Sequence, residues 1–319
     1  MPHPIEVTFP DIEPWMHGNA GLPYVWRFDA EADGPHVCVC ALMHGNEVCG
    51  AIAVERLLTA FVRDGLRPRR GRISLLFANV EAYRSFDPQW PLASRALDED
   101  LNRVWDGATL DGTRVSRELT RARVLRPWID TVDHLLDLHS MSEPSPPLVL
   151  AGDTPKGLAL ARAVGLSADI IVDSGHTAGR RLRDYGAFAD SASPRSALLV
   201  ECGQHWERDV GEFATEAAWR FLEHLDMVSR PNLAPAVRSA PAAPRIIDIT
   251  DVVTVASADF RWTQSFPGLA TVPLAGTLLA LDGDRPVVTP YDDAILVMPS
   301  QTPKVGTTAV RIGRVRDTA

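Results

Sequence analysis

Four short stretches of the chain carry residue types that can do chemistry. The first is His44-Gly45-Asn46-Glu47. His44 and Glu47 are three positions apart, and a tight turn there aims both side chains at one point. An imidazole nitrogen with a carboxylate oxygen suits a zinc ion. Two histidines and one glutamate form a catalytic zinc set with an open fourth position. Alone, the spacing also fits a helix-start glutamate favoured by the macrodipole, beside an ordinary loop histidine. The second stretch is Asp137-Leu138-His139, at the end of a short apolar strand. Strand alternation puts Asp137 and His139 on one face, and a carboxylate beside a ligand histidine fixes its tautomer. The bland alternative is a strand-end histidine bonded to backbone. The third is Glu201, directly after the apolar run Ala197 to Val200. A carboxylate ending a buried strand is costly without a partner or a task. Beside a metal-activated water it is a competent general base and acid; the alternative is a structural ion pair. The fourth is Asp98 to Arg103, with Arg95 upstream. Asn102 and Arg103 side by side can clamp a carboxylate, the guanidinium in bidentate fashion. A capped helix start with solvated charges is the competing reading.

These residues need a scaffold, and the flanking patterns describe one. Val37–Leu42, Arg72–Ala78, Leu135–Leu138, Leu148–Ala151, Ile170–Val172 and Ala197–Val200 read as buried strands. Val48–Arg63, Ser116–Arg126, Lys156–Val164 and Glu212–Leu225 read as helices, with Trp128 just beyond Pro127. Strands alternating with helices predict an α/β fold with a mostly parallel mixed sheet flanked by helices. The strand-end chemistry then faces the crevice at the carboxyl edge. Residues 1–228 form this domain. A Pro-rich linker at 229–243 follows, with four prolines by residue 244. Residues 244–319 are rich in Val, Thr, Gly and Pro without helical period, and predict a small all-β domain covering the cleft.

Composition narrows the rest. Lys plus Arg number 32 against 41 Asp plus Glu, for a net charge of −9, which argues against a nucleic-acid partner. No apolar run is long enough to span a membrane, and the acidic first residues lack the apolar core of a signal peptide. Four cysteines, Cys38, Cys40, Cys49 and Cys202, read as buried reduced thiols and suggest a cytoplasmic protein.

Taken in order, HGNE, DLNR, DLHS and a strand-end VE resemble the aspartoacylase and succinylglutamate desuccinylase family of the zinc-carboxypeptidase-like superfamily. The motifs span about residues 37–206, and the β-rich tail is similar to that family's C-terminal domain with weaker signals. The resemblance implies one zinc per chain held by His44, Glu47 and His139, with Asp137 behind. It implies Glu201 as general base and Arg95 at the scissile carbonyl, with Asn102 and Arg103 on a substrate carboxylate. The expected activity is hydrolysis of a small N-acyl amino acid. A zinc carboxypeptidase, a small-ester hydrolase and a metal-binding protein without catalysis are the alternatives. Family members also grip a side-chain carboxylate with further Arg and Tyr residues. Arg180, Arg181, Arg183, Tyr185 and Tyr291 have no clear alignment to those. His205 reads more readily as a surface histidine than as part of the site, and Trp206 as packing. Assembly into a homo-oligomer stays open.

Overall fold

The computed structural model describes residues 3–175, 178–229 and 244–317. All but Ser229 of the expected linker lies outside the described residues. The first part of the chain builds β1 (Val25–Asp29), β2 (His36–Ala41), α1 (Val48–Leu58), β3 (Arg72–Phe77), α2 (Val80–Arg84), α3 (Gly107–Asp111) and α4 (Arg117–Ile129). Then come β4 (His134–Met141), β5 (Leu148–Leu150), α5 (Pro155–Val164), β6 (Asp169–Val172), β7 (Ser196–Gln204) and α6 (Val210–His224). The remainder is all β: β8 (Ile246–Thr254), β9 (Phe260–Trp262), β10 (Ala270–Val272), β11 (Leu278–Asp282), β12 (Arg285–Val288), β13 (Ala294–Val297) and β14 (Thr308–Val315).

One sheet runs through both parts, in the order β1-β3-β2-β4-β7-β5-β6-β8-β14-β13-β10. Strands β3, β2, β4 and β7 are parallel to one another, and β5 turns antiparallel to β7. Strand β8 joins β6 in parallel, so the C-terminal segment extends the sheet rather than standing off it. A second sheet, β12-β11-β9, packs at its end. Central strands β2 and β7 are buried along their whole length, as strands covered on both faces must be. On one face, Val54 and Leu57 of α1, Leu160 of α5 and Phe221 of α6 pack with Val39 and Leu138 of the sheet. On the other, Leu119, Ala122 and Leu125 of α4 pack with Cys38, Cys40 and Leu135.

Three expectations need correction. Strand β4 continues past His139 to Met141, and β7 past Glu201 to Gln204. The pairing survives there through an irregularity between His139 and Met141, and the polar side chains find partners, Gln204 Nε2 donating to Ser142 O at 3.2 Å. Helix α4 does not stop before Pro127 but runs to Ile129. The proline lies near the helix end, and the next turn still closes, Asp130 N–H donating to Arg126 O at 2.9 Å. Strand β1 was not anticipated. It is a half-exposed edge strand paired only with β3, so it needs no continuous apolar run.

The turn from β2 to α1 sets the position of the site. Leu42 adopts a positive φ of 58°, a conformation that costs about 1–2 kcal/mol for a residue with Cβ. The strain is held by Asn79 N–H, which donates to Leu42 O at 2.7 Å. Gly45 then passes against backbone: a Cβ there would lie 2.3 Å from Ala82 C and 2.4 Å from Ser94 O. Its N–H donates to Arg95 O at 3.1 Å, tying the turn to the segment that carries Arg95. Gly45→Ala should therefore cost more than the roughly 1–3 kcal/mol of ordinary overpacking and displace both the turn and Arg95. Chemical denaturation would measure it; a variant as stable as the parent would show that the 82–95 segment yields freely.

Candidate functional site

Glu47 caps the start of α1 and is 2% exposed. Each of its oxygens meets a histidine. His44 Nδ1 lies 2.7 Å from Oε1 and His139 Nδ1 2.8 Å from Oε2. The two rings stand 5.2 Å apart, nearly edge to face. The three side chains can each offer one ligand atom, all within 4.8 Å of one another. The far nitrogens point at carboxylates: His44 Nε2 at Asp100 Oδ1, 2.8 Å, and His139 Nε2 at Asp137 Oδ2, 2.9 Å. Burial alone would raise the Glu47 carboxyl, but His44 and His139 outweigh it and hold it well below the usual carboxylate range. Two imidazoles oriented by carboxylates and one ionised carboxylate are a donor set that fits a divalent metal.

Sequence reading placed Asp137 behind His139 but passed over Asp100, one of three acids in a run. Asp100 also accepts the Asn102 N–H at 2.8 Å, capping the short Leu101–Arg103 turn. Its link to a histidine 56 residues away has no local signature.

Arg95 is 41% exposed, with Nη2 2.9 Å from Asp100 Oδ2 and Nη1 3.4 Å from Glu47 Oε1. Asn102 Oδ1 accepts the Leu182 N–H at 2.8 Å, which turns Nδ2 toward His139 Nε2 at 3.3 Å. Arg103 Nη1 donates to Asn102 O at 2.7 Å. Burial, with Arg95, Arg181 and Arg311 nearby, lowers the Arg103 guanidinium to about 10 against the pull of Asp100. Glu201 stands in register with His139 on the neighbouring strand and is 6% exposed. Its Oε2 has no hydrogen-bond partner among the described residues. Burial raises the Glu201 carboxyl to about 8; His139 opposes the rise and the Glu47 charge adds to it.

All eight residues singled out from the sequence converge here, and seven of them, Asp137 apart, line a cavity of about 550 Å³. Its opposite wall is C-terminal: Gly268, Met298, Thr307 and Arg311. Arg181 lines it too, held by Asp173 at 2.9 Å and Asp184 at 2.8 Å. Arg311 Nε is 3.9 Å from Asp173 and makes no hydrogen bond among the described residues. Nothing in the sequence distinguished Arg311, because β14 meets the cavity only through sheet order. Arg183 is buried against Asp184. Tyr185 donates to Asp130 at 2.8 Å, and Tyr291 stacks under Arg314; neither lines the cavity. His205 is not on the surface. It is buried, lines the cavity, and is lowered by burial to about 3. The β7 strand extends far enough to carry it inward. Trp206 packs, its Nε1 donating to Asn46 O at 3.3 Å.

Known proteins resemble this chain in sequence and in fold. A succinylglutamate desuccinylase of Burkholderia cenocepacia is 28% identical over 291 residues, 85% of this chain and 78% of that one. A solved succinylglutamate desuccinylase of Vibrio parahaemolyticus superposes with a TM-score of 0.71 at 16% identity, covering 93% of this chain and 87% of its own. The product-bound structure of an ectoine utilization protein of Ruegeria pomeroyi gives 0.62 at 17%, covering 91% and 88%. At such identities the structures speak for the fold alone. The profile of the succinylglutamate desuccinylase/aspartoacylase catalytic domain matches residues 33–225, more than half of the 319. The chain belongs to the succinylglutamate desuccinylase/aspartoacylase family of deacylases.

Proposed function

We propose that the protein is a zinc-dependent amidohydrolase that removes the acyl group from a small N-acyl amino acid. The observation that carries this reading is the buried trio of His44, Glu47 and His139 beside an unpartnered Glu201 and an arginine-lined cavity. Zinc held by that trio supplies Lewis acidity that brings the pKa of a water near 7. Asp100 and Asp137 keep the two imidazoles turned inward. Glu201, buried in the cavity wall with its Oε2 free of hydrogen bonds to the described residues, is poised to take a proton from the attacking water and return it to the leaving amine. Arg95 aims its guanidinium across the site, where it meets negative charge developing on the carbonyl oxygen. Asn102 and Arg103 hold the carboxylate of the substrate. Arg181 and Arg311 keep the same end of the cavity positive.

Residues 244–319 form a small β-rich unit that covers the cleft and limits substrate size, supported by Met298 and Arg311 in the cavity wall. A wall on that side favours single acylated amino acids over peptides, against the carboxypeptidase reading. The test is release of free amine from N-acetyl, N-formyl and N-succinyl amino acids by zinc-loaded protein. Equal or faster cleavage of tetrapeptides would reverse the choice.

His139→Ala should lose its zinc on dialysis, and Asp100→Asn should bind it about 10–100-fold more weakly, as expected for a carboxylate orienting a ligand. Metal analysis and competition with a chelator measure both. A full equivalent of zinc retained by His139→Ala would remove that residue from the ligand set. Glu201→Gln should keep metal and fold while turnover falls by about 10²–10⁴-fold; near-parental rates would mean another base serves. Arg103→Ala should chiefly raise KM for free-acid substrates and leave carboxamide analogues less affected. Equal responses to the two would refute the clamp.

A further inference from the structure

One end of the cavity is held by arginines; the other contains a buried pair that the proposed chemistry leaves without a role. Ser140, beside His139 on β4, and His205, just past β7, are 3% and 2% exposed and both line the cavity. Ser140 Oγ lies 2.8 Å from His205 Nδ1. The His205 backbone N–H donates to Met141 O at 2.8 Å, and the ring packs on Trp206 at 5.4 Å. The imidazole is thus held in one orientation.

Ser140 Oγ makes this one hydrogen bond among the described residues. A buried hydroxyl proton is costly to leave unpaired, so it goes to Nδ1. The imidazole proton then sits on Nε2. His205 forms no hydrogen bond through Nε2 to a described residue, which leaves an N–H donor for the cavity. Asn46, also lining the cavity and 1% exposed, has neither its Oδ1 nor its Nδ2 paired among the described residues. Of the arginines that line the cavity, Arg95 acts on His205. The charges acting most on His205 are Glu47, Arg95, His44 and His139, and those on Arg103 are Asp100, Arg95, Arg181 and Arg311, so Arg95 reaches both groups whereas Arg181 and Arg311 act on Arg103. Arg311 is carried by β14, four strands beyond β7 in the sheet.

We propose that His205 is a specificity-determining residue: held by Ser140, its Nε2–H acts with the Asn46 amide to receive an uncharged polar acyl group, while the arginine end receives the anionic half of the substrate. The proposal rests on the deacylase reading above. A fixed neutral donor and an amide satisfy a hydroxyl or carbonyl fully. A carboxylate placed there would be desolvated away from Arg103, Arg181 and Arg311.

The experiment compares kcat/KM of the zinc-loaded enzyme on N-glycoloyl, N-acetyl and N-succinyl derivatives of one amino acid. The parent should prefer glycoloyl over succinyl. His205→Ala should lose about 3–10-fold on glycoloyl, the size of one neutral hydrogen bond, and less on acetyl. His205→Gln, which keeps an N–H, should recover part of the loss, and Ser140→Ala should shift the ratio in the same direction as His205→Ala. A parent that prefers succinyl overturns the proposal, as does an equal loss on all three substrates in His205→Ala. Should that variant fail to fold, the parent ranking and the Ser140→Ala ratio still decide. Cleavage of none of the three would overturn the deacylase reading itself, whereas cleavage led by succinyl overturns only the present one.

Discussion

The two oxygens of Glu47 bind the protein together at its functional centre. Each meets a different histidine, one from the turn after β2 and one from β4. An ionised carboxylate that is 2% exposed is tolerable only with such partners. Removing one partner from a buried pair costs about 3–5 kcal/mol, so the three side chains stand or fall as a unit. The surrounding structure serves to keep them within reach: Gly45 lets the turn press against the 82–95 segment, and β4 lies directly beside β2.

Around that unit most charges are paired. Asp137 and Asp100 orient the histidines from behind, and Asp100 also holds Arg95. Asp173 and Asp184 hold Arg181. Arg311 Nε, Glu201 Oε2, both Asp137 oxygens and the Asn46 amide are among the buried atoms with no hydrogen bond among the described residues, and Arg311, Glu201 and Asn46 line the cavity. Buried polar atoms without a hydrogen bond are costly unless something else satisfies them. Those in the cavity wall stand where a substrate and a water would do so.

The C-terminal strands matter for the same reason. Because β8 pairs with β6, the sheet continues into β14 and brings Arg311 to the cavity occupied by His139 and Glu201. The result is a cavity whose wall includes Arg311 of the C-terminal strands beside Arg103 and Arg181.

The sequence by itself determined the elements and the motif residues. Apolar runs and helical spacing mark β2, β3, α1 and α5 because burial and periodicity are local properties. Glu201 stood out because a carboxylate ending an apolar run is costly without a task, His44, Glu47 and His139 because their types and spacing suit a metal, and Asn102 and Arg103 because side by side they can clamp a carboxylate. Tertiary structure alone decided the partners. Asp100 reaching His44, Ser140 reaching His205 and Arg311 entering the cavity each join residues 56 or more positions apart. So does the inward place of His205, which follows from how far β7 keeps pairing with β4. Strand order and register are set by the packing of the whole sheet, and no short stretch of sequence carries that information.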